Sequence, residues 1–222
     1  SYKQAMLEFG SDKPDLRNPL RIIDVTEFFQ RCTFKPFIGK TVRAVKVHAN
    51  MSKGFHEKLL KFATGIGMGG LGYLEVLEDK SYKGPIDKFI PDDMKAEFME
   101  LAGLEVGDTI FFMADKEERA AFYAGQIRTE LGEKLDLIEK NAYRFCYVND
   151  FPMFERDPET KKIGFTHNPF SMPQGGLEAL NTMDPLDILA YQYDIVCNGI
   201  ELSSGAVRNH DMQIMVKAFE IA

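Results

Sequence analysis

The chain has 222 residues, 45% of them hydrophobic, and carries 27 basic against 34 acidic side chains, for a net charge of −7. This length allows a buried core in one or two domains, and the acidic balance argues against a dominant basic surface for nucleic acid. Three widely separated cysteines indicate neither a disulfide framework nor a CxxC metal site. With no signal peptide or membrane span apparent, we expect a cytoplasmic protein with reduced cysteines and no membrane partner.

The chain begins with a predicted helix over residues 1–9, which Gly10 ends. A charged turn follows over residues 11–17, where Pro14 and Asp15 suit turn positions. On local pattern alone this segment is a solvated loop.

From Phe28 the pattern changes to an alternation of strands and helices. β-branched and aromatic residues favour strands, and apolar residues at i, i+4 and i+7 favour helices. The predicted strands cover residues 41–47, 71–77 and 109–114, and the predicted helices cover residues 52–63, 91–102 and 116–131. This order predicts a two-layer α/β unit with helices covering a sheet, which we expect to fold independently over residues 28–138.

Five glycines crowd into the eight residues from Gly65 to Gly72. A phosphate-binding loop would continue with Lys-Ser or Lys-Thr and would lead from a strand into a helix. This stretch has no such pair and leads from a helix into a strand, so we interpret it as a loop.

Residues 139–222 contain a second set of predicted elements. Within residues 143–155 a buried strand is predicted that ends at Asp150-Phe151-Pro152, because proline cannot donate a ladder hydrogen bond. A turn-rich loop is predicted over residues 165–173, and helices are predicted over 177–180 and 210–222. Two strands over residues 191–197 and 200–208 flank Asn198-Gly199, the strongest short hairpin signal.

The hairpin carries three charged side chains, Asp194, Glu201 and Arg208. Strict alternation along the second strand places Glu201 and Arg208 on opposite faces, unless a bulge intervenes. The small residues from Ser203 to Ala206 leave room for a ligand or another backbone. The pattern alone fits an exposed hairpin with solvated charges equally well.

Several strings resemble the class II aminoacyl-tRNA synthetases of the aspartate type. They are SYKQAMLEFGSDKPDLRNPL, YRFCYVNDFPMFE, FTHNPFSMP and NGIELSSGAVRNH. Between them, VRAVKV and GDTIFFMADK resemble the GAD domain that is inserted in bacterial members and shared with a glutamyl-amidotransferase subunit. The resemblance implies an α+β fold, in which an antiparallel-sheet catalytic core surrounds a two-layer α/β GAD domain. The GAD domain is expected over residues 28–138. The core is expected in two segments, residues 1–27 after the second class II motif and residues 139–222 before the third.

The resemblance also implies roles for individual residues. Arg208 matches the arginine that clamps an aspartate carboxylate, and His167 matches a residue on the aspartate side of the site. Glu201 matches a carboxylate for ATP and Mg²⁺, and Asp194 matches an acidic residue near that metal. Guanidinium suits a carboxylate, and Mg²⁺ takes one or two carboxylates with phosphate oxygens. Asn168 stands where many members carry a second histidine.

The implied function is part of an enzyme that activates aspartate with ATP and Mg²⁺ and transfers it to tRNA, within a parent protein that is a homodimer. No residue is assigned as a catalytic group. We expect no activity from this chain alone, because the family's ATP-holding arginines are not in the sequence. Four further matching residues are expected to have structural roles, namely Asp12, Lys13, Asp15 and Arg17.

The alternative is a non-catalytic interaction module in which the GAD-like unit binds a partner, as in the amidotransferase subunit. That subunit should lack the flanking strings FTHNPFSMP and NGIELSSGAVRNH, which therefore favour the synthetase.

Overall fold

The computed structural model describes all residues from 1 to 222 and divides into two compact units. The central unit comprises residues 6–11 and 17–140, and the flanking unit comprises residues 1–5, 12–16 and 141–222. Helices and antiparallel sheets both contribute. The α+β class expected from the sequence is confirmed.

The central unit is built on a five-stranded sheet whose neighbouring strands are all antiparallel. Its strands are β1 (Ile22–Asp24), β2 (Thr41–His48), β3 (Gly72–Val76), β4 (Tyr82–Lys83) and β5 (Asp108–Asp115). They lie in the order β1-β2-β5-β3-β4, with β2 and β5 paired over their full length. β-branched and aromatic side chains fill these central strands, as their strand propensity requires.

Helices lie before, between and after these strands along the chain. They are α1 (Tyr2–Phe9), α2 (Thr26–Gln30), α3 (Lys53–Gly65), α4 (Lys95–Leu101) and α5 (Glu117–Lys134), with short 3₁₀ turns at Lys35–Phe37, Asp87–Phe89 and Asp92–Met94. Ser52 caps α3 as its sequence predicts, since the Ser52 hydroxyl accepts from the Phe55 amide at 3.2 Å. The helix expected to open at Pro91 begins with a 3₁₀ turn and becomes α-helical only at Lys95.

Both faces of the central sheet are buried. Val42 and Ala44 of β2 belong to one hydrophobic core, which includes aromatic residues of α2 and α4. Val45 and Val47 of the same strand belong to the other core, with residues of α3 and α5. Because side chains alternate along a strand, β2 supplies both cores. The unit therefore has three layers rather than the two predicted.

Residues 17–27 group with the central unit, although the sequence pattern placed them in the flank. Ile22 of β1 lies opposite Val45 of β2. The guanidinium of Arg128, which is only 2% exposed, donates to the Leu20 carbonyl at 2.7 Å and to the Asn18 carbonyl at 2.9 Å. A buried cation needs such acceptors, so this segment stabilises α5.

Two backbones approach closely where α1 ends. Gly10 has a left-handed φ of +65° and lies against α5 at Gly125. A Cβ on Gly125 would lie 2.6 Å from the Gly10 carbonyl oxygen, and a Cβ on Gly10 would lie 2.6 Å from the Gly125 nitrogen. Neither position has room for a side chain.

The flanking unit contains a three-stranded antiparallel sheet and a two-stranded one. Their strands are β6 (Phe145–Pro152), β7 (Phe154–Arg156), β8 (Ile163–Phe165), β9 (Leu189–Cys197) and β10 (Ile200–Ala206). The first sheet has the order β10-β9-β6, and β7 pairs with β8. Two helices, α6 (Gly176–Thr182) and α7 (Met212–Ile221), and a 3₁₀ turn at Pro185–Asp187 complete the unit.

The strand expected to end at residues 150–152 is present as β6, which ends at Pro152, and a further short strand, β7, follows it. Asp150 has a φ of +55°, and the register of β6 shifts between Asn149 and Phe151. Such an irregularity bends the strand and ends regular pairing. In neither unit is a helix both long and apolar enough to cross a membrane.

We expect Gly125→Ala and Gly54→Ala to change stability in opposite directions. Both glycines are helical, and alanine normally stabilises such a position by about 0.4–1 kcal/mol. Gly54 has open space where a Cβ would lie, so it should follow this rule. At Gly125 the clash with the Gly10 carbonyl should destabilise the central unit by about 1–3 kcal/mol. Hydrogen exchange of the β2 and β5 amides measures the change in the free energy of unfolding for each variant. Changes of the same sign in both variants would contradict the prediction.

We also expect residues 6–140 to unfold cooperatively at a higher temperature than residues 28–138. The shorter segment lacks β1 and the carbonyl acceptors of Arg128, and a poorly satisfied buried polar group costs about 1–3 kcal/mol. For a unit of this size the difference in melting temperature should be roughly 5 °C or more. Calorimetry of the two segments measures it. Equal melting temperatures would show that residues 17–27 do not stabilise the unit.

Candidate functional site

A cleft of about 370 Å³ lies in the flanking unit, between the β9–β10 hairpin and the loop that follows β8. All four residues singled out from the sequence line it: His167, Asp194, Glu201 and Arg208. It is completed by Lys13, Asn168, Phe170, Gln192, Ser204, Gly205 and Ala206. The structure thus gathers the expected residues in one place, while their individual roles stay predictions.

The hairpin turn and a bulge determine which hairpin residues reach the cleft. Asn198 and Gly199 both have positive φ, as a tight Asn-Gly turn requires. The register of β10 then shifts between Glu201 and Ser203, so that Leu202 is an extra residue. Strict alternation would have placed Glu201 and Arg208 on opposite faces. The bulge is the exception that the sequence-based expectation allowed for, and it returns both residues to one side.

Asp194 is the buried acidic group of the cleft. Its side chain lies on β9 opposite Ser204, the residue is 3% exposed, and Oδ1 has no hydrogen-bond partner. Burial raises the pKa of Asp194, and the negative charge of Glu201 raises it further, while Lys13 acts in the opposite direction. The site therefore contains a carboxylate whose charge the protein does not fully satisfy.

Lys13 contributes a cation to which the sequence pattern assigned no functional role. Its ammonium lies 3.3 Å from the Glu201 carboxylate and 2.7 Å from that of Asp12. Burial alone would lower the pKa of Lys13, but its hydrogen bonds and attraction to the two carboxylates outweigh burial and raise it. No local signal could reveal this contact, because Lys13 and Glu201 are far apart in the chain.

Arg208 lies just beyond the end of β10, at the edge of the cleft. Its guanidinium carbon lies 4.2 Å from the centroid of the Phe170 ring, and no acidic side chain of the protein forms an ion pair with it. Its backbone bridges to Ser171. The cation therefore stacks on an aromatic face and remains available to an anionic ligand.

The loop after β8 is held by polar contacts to β9. Asn168 donates to the Gln192 side-chain oxygen at 3.3 Å and accepts from the Ser171 hydroxyl at 2.8 Å. The exposed His167 ring packs edge-on against Phe151 at 5.1 Å. Gln192 was not singled out from the sequence, although its position two residues before Asp194 on a strand indicates the same face.

The acidic residues of the cleft fit a magnesium ion only together with other oxygen ligands. No group of three or more histidine, cysteine or acidic side chains is arranged to hold a metal by itself. Mg²⁺ characteristically takes one or two carboxylates and completes its shell with water and phosphate oxygens. Asp194, with an unsatisfied buried oxygen, and Glu201 match that donor set.

The whole chain, residues 1–222, matches the family model described as tRNA synthetases class II (D, K and N). Among curated proteins, it is 54% identical to the aspartate–tRNA(Asp/Asn) ligase of Ehrlichia canis (strain Jake). It is 53% identical to the protein of the same name from Gluconobacter oxydans (strain 621H) and 50% identical to that from Rickettsia africae (strain ESF-5). Each match covers 100% of this chain, which spans 39%, 38% and 38% of these relatives respectively.

We expect Asp194→Asn to stabilise the flanking unit at pH 7. Because the pKa of Asp194 is raised above the ordinary 3.8, the folded state holds its proton more tightly than the unfolded state does. The stability that the folded state gains from holding this proton is therefore lost as the pH rises from 3.8 through the pKa of Asp194 in the folded state. Urea unfolding of the 222-residue chain, followed by hydrogen exchange of β9 amides, should show a variant advantage at pH 7 that shrinks toward pH 4. A constant difference would contradict the burial explanation.

Proposed function

The chain belongs to the class II tRNA synthetases (D, K and N), and we propose that it forms the amino-acid-binding part of the active site of an aspartate–tRNA ligase. The observation that carries the proposal is the cleft itself. It combines an arginine without an ion pair and a pair of acidic side chains, one of them with an unsatisfied buried oxygen. The names of the curated relatives support aspartate as the amino acid and the tRNAs for aspartate and asparagine as acceptors.

The proposed reaction has two steps. A carboxylate oxygen of aspartate attacks the α-phosphorus of ATP, forming aspartyl-adenylate and releasing pyrophosphate. A terminal hydroxyl of tRNA then attacks the activated carbonyl, and AMP leaves. The first step brings several negative charges together, so it depends on positioning and charge neutralisation more than on a protein nucleophile.

In this proposal Arg208 holds an aspartate carboxylate. A planar guanidinium forms two parallel charge-assisted hydrogen bonds with a carboxylate, which fixes both its position and its orientation. Phe170 supports the guanidinium from below at 4.2 Å, which limits its rotation. His167 lines the same cleft, and its proposed role is to contact the bound amino acid.

Asp194 and Glu201 would hold the Mg²⁺ that accompanies ATP. When bound, this ion neutralises phosphate charge and orients the triphosphate. In the structure Glu201 pairs with Lys13, and Asp194 lacks a partner for Oδ1. The two carboxylates thus supply acceptors to the same cleft, and Lys13 offsets part of their mutual repulsion.

The parent protein is proposed to be a cytoplasmic homodimer that binds aspartate, ATP and tRNA. The 222-residue chain alone is expected to form no adenylate, because arginines that hold the triphosphate in this family are not in its sequence. The site is therefore tested in the intact ligase that contains this chain.

In that ligase we expect Arg208→Ala to impair the use of aspartate far more than the use of ATP. Loss of a charge-assisted pair should raise the aspartate concentration needed by roughly ten- to a hundredfold. Arg208→Lys should recover little, because an ammonium keeps the charge without the two-pronged geometry. Aspartate-dependent pyrophosphate exchange, titrated separately in aspartate and ATP, makes the measurement.

Glu201→Ala should show the reverse pattern, with a weakened response to Mg²⁺-ATP and a smaller effect on aspartate. Arg156→Ala is the matched control, since Arg156 is an exposed arginine of β7 outside the cleft. An Arg208→Ala variant with an unchanged aspartate response would refute the assigned role.

A further inference from the structure

A second cavity, larger than the cleft at Arg208, lies in the central unit and takes no part in the proposed reaction. Its volume is about 600 Å³, compared with about 370 Å³ for the cleft at Arg208. Three loops form its walls, at residues 34–40, 68–72 and 85–89, and the end of β5 forms its floor. This volume lies within the range of small-molecule binding sites, about 300–1,000 Å³.

The walls present aromatic rings. Phe34 packs edge-on against Phe37 at 4.7 Å and lies 4.5 Å from Phe89 in a tilted arrangement. Phe34 and Phe89 are only half-buried, so ring surface faces the cavity, and Phe112 lies on the floor. Half-buried aromatic rings in a concavity favour a planar apolar ligand, which gains both burial and ring contacts.

The glycine-rich loop supplies hydrogen-bond donors at the same place. The amides of Gly69 and Gly70 donate to no acceptor in the protein, and a Cβ added at either residue would meet nothing within 4 Å. At Gly72 a Cβ would instead lie 2.8 Å from Ile86, so this glycine keeps the loop close to the opposite wall. Successive unpaired backbone amides around a concavity are suited to an anion.

The cavity is also lined by two lysines, Lys40 and Lys88, and neither forms an ion pair. The Lys88 ammonium lies 5.0 Å from the centroid of the Phe89 ring. The one acidic residue of the lining, Asp115, is 3.6 Å from the Arg119 guanidinium and is therefore already paired. The unbalanced charge in the lining is positive, which favours a negatively charged ligand.

We propose that this cavity binds a planar aromatic anion of nucleotide size, with the ring against Phe34 and Phe89 and the phosphate at the lysines and the glycine amides. A nucleoside monophosphate has this chemistry, either free or as an unpaired nucleotide of an RNA strand. The aromatic walls are stacking surfaces of the kind that hold bases without sequence preference. The site is separate from the Arg208 cleft and does not depend on the reaction proposed for it.

The test is titration of the ¹⁵N-labelled 222-residue chain with AMP, followed by the amide signals of Gly69 and Gly70. We expect saturable shifts at both, with adenosine and ribose 5-phosphate each binding roughly tenfold more weakly, because each lacks one of the two recognised groups. The Gly205 amide reports separately on the Arg208 cleft, so binding of AMP there is recognised as such.

Paired variants separate the contributions of charge and ring. Lys40→Ala combined with Lys88→Ala should weaken AMP about tenfold and leave adenosine unchanged, since only the phosphate contact is lost. Phe34→Ala should weaken both AMP and adenosine. Lys58→Ala, at an exposed lysine outside the cavity, should have no effect, and Glu201→Ala should not alter the Gly69 and Gly70 response.

A short oligonucleotide distinguishes the two sources of the ligand. If the oligonucleotide binds more tightly than AMP at Gly69 and Gly70, the ligand is a nucleotide within an RNA strand. If it binds more weakly than AMP, the ligand is a free nucleotide. The proposal is overturned if AMP produces no saturable shift at these glycines, or if the double lysine variant binds AMP as the unmodified chain does.

Discussion

The extra residue in β10 is the constraint on which the candidate site depends. Leu202 has no counterpart on β9, and from that point onward each β10 side chain is turned to the opposite face. Glu201 therefore shares a face with Ser204, Ala206 and Arg208, all of which line the cleft. Arg208 is seven positions after Glu201, an odd interval, and a regular strand would place the two side chains on opposite faces. Glu201 and Arg208 therefore line the same cleft because the strand is irregular.

The charged groups of the cleft differ in how deeply the fold buries them. Asp194 is buried on the central strand of its sheet, and its acidic neighbour Glu201 forms an ion pair with Lys13, from a distant part of the chain. A buried carboxylate with an unused oxygen is costly in the free protein. The same oxygen becomes favourable when a cation binds, so the cost in the free state is converted into selectivity for a metal-bound ligand. Arg208 is solvated and stacked, and it carries no comparable cost.

The sequence predicted those features that have local causes. The Asn198-Gly199 turn, the Ser52 cap and three of the five strands of the central sheet (β2, β3 and β5) follow from turn chemistry, capping and β-branched residues, and each is present. The gathering of Asp194, Glu201 and Arg208 was expected only from family resemblance. The bulge that produces it carries no local mark, because Leu202 is an ordinary strand residue. The Lys13 contact and the burial of both sheet faces depend on tertiary packing, which alternation along one strand does not determine.

The meeting of Gly10 and Gly125 has a consequence for how this protein can change. At each of these positions a side chain would clash with the backbone of the other glycine, so the two positions are subject to the same steric constraint. A first substitution at either would force α1 and α5 apart and would open room at the other. The second substitution would then cost less than it does alone, and their effects on stability would not add. The pair therefore behaves as a single site under selection, although 114 residues of sequence lie between its members.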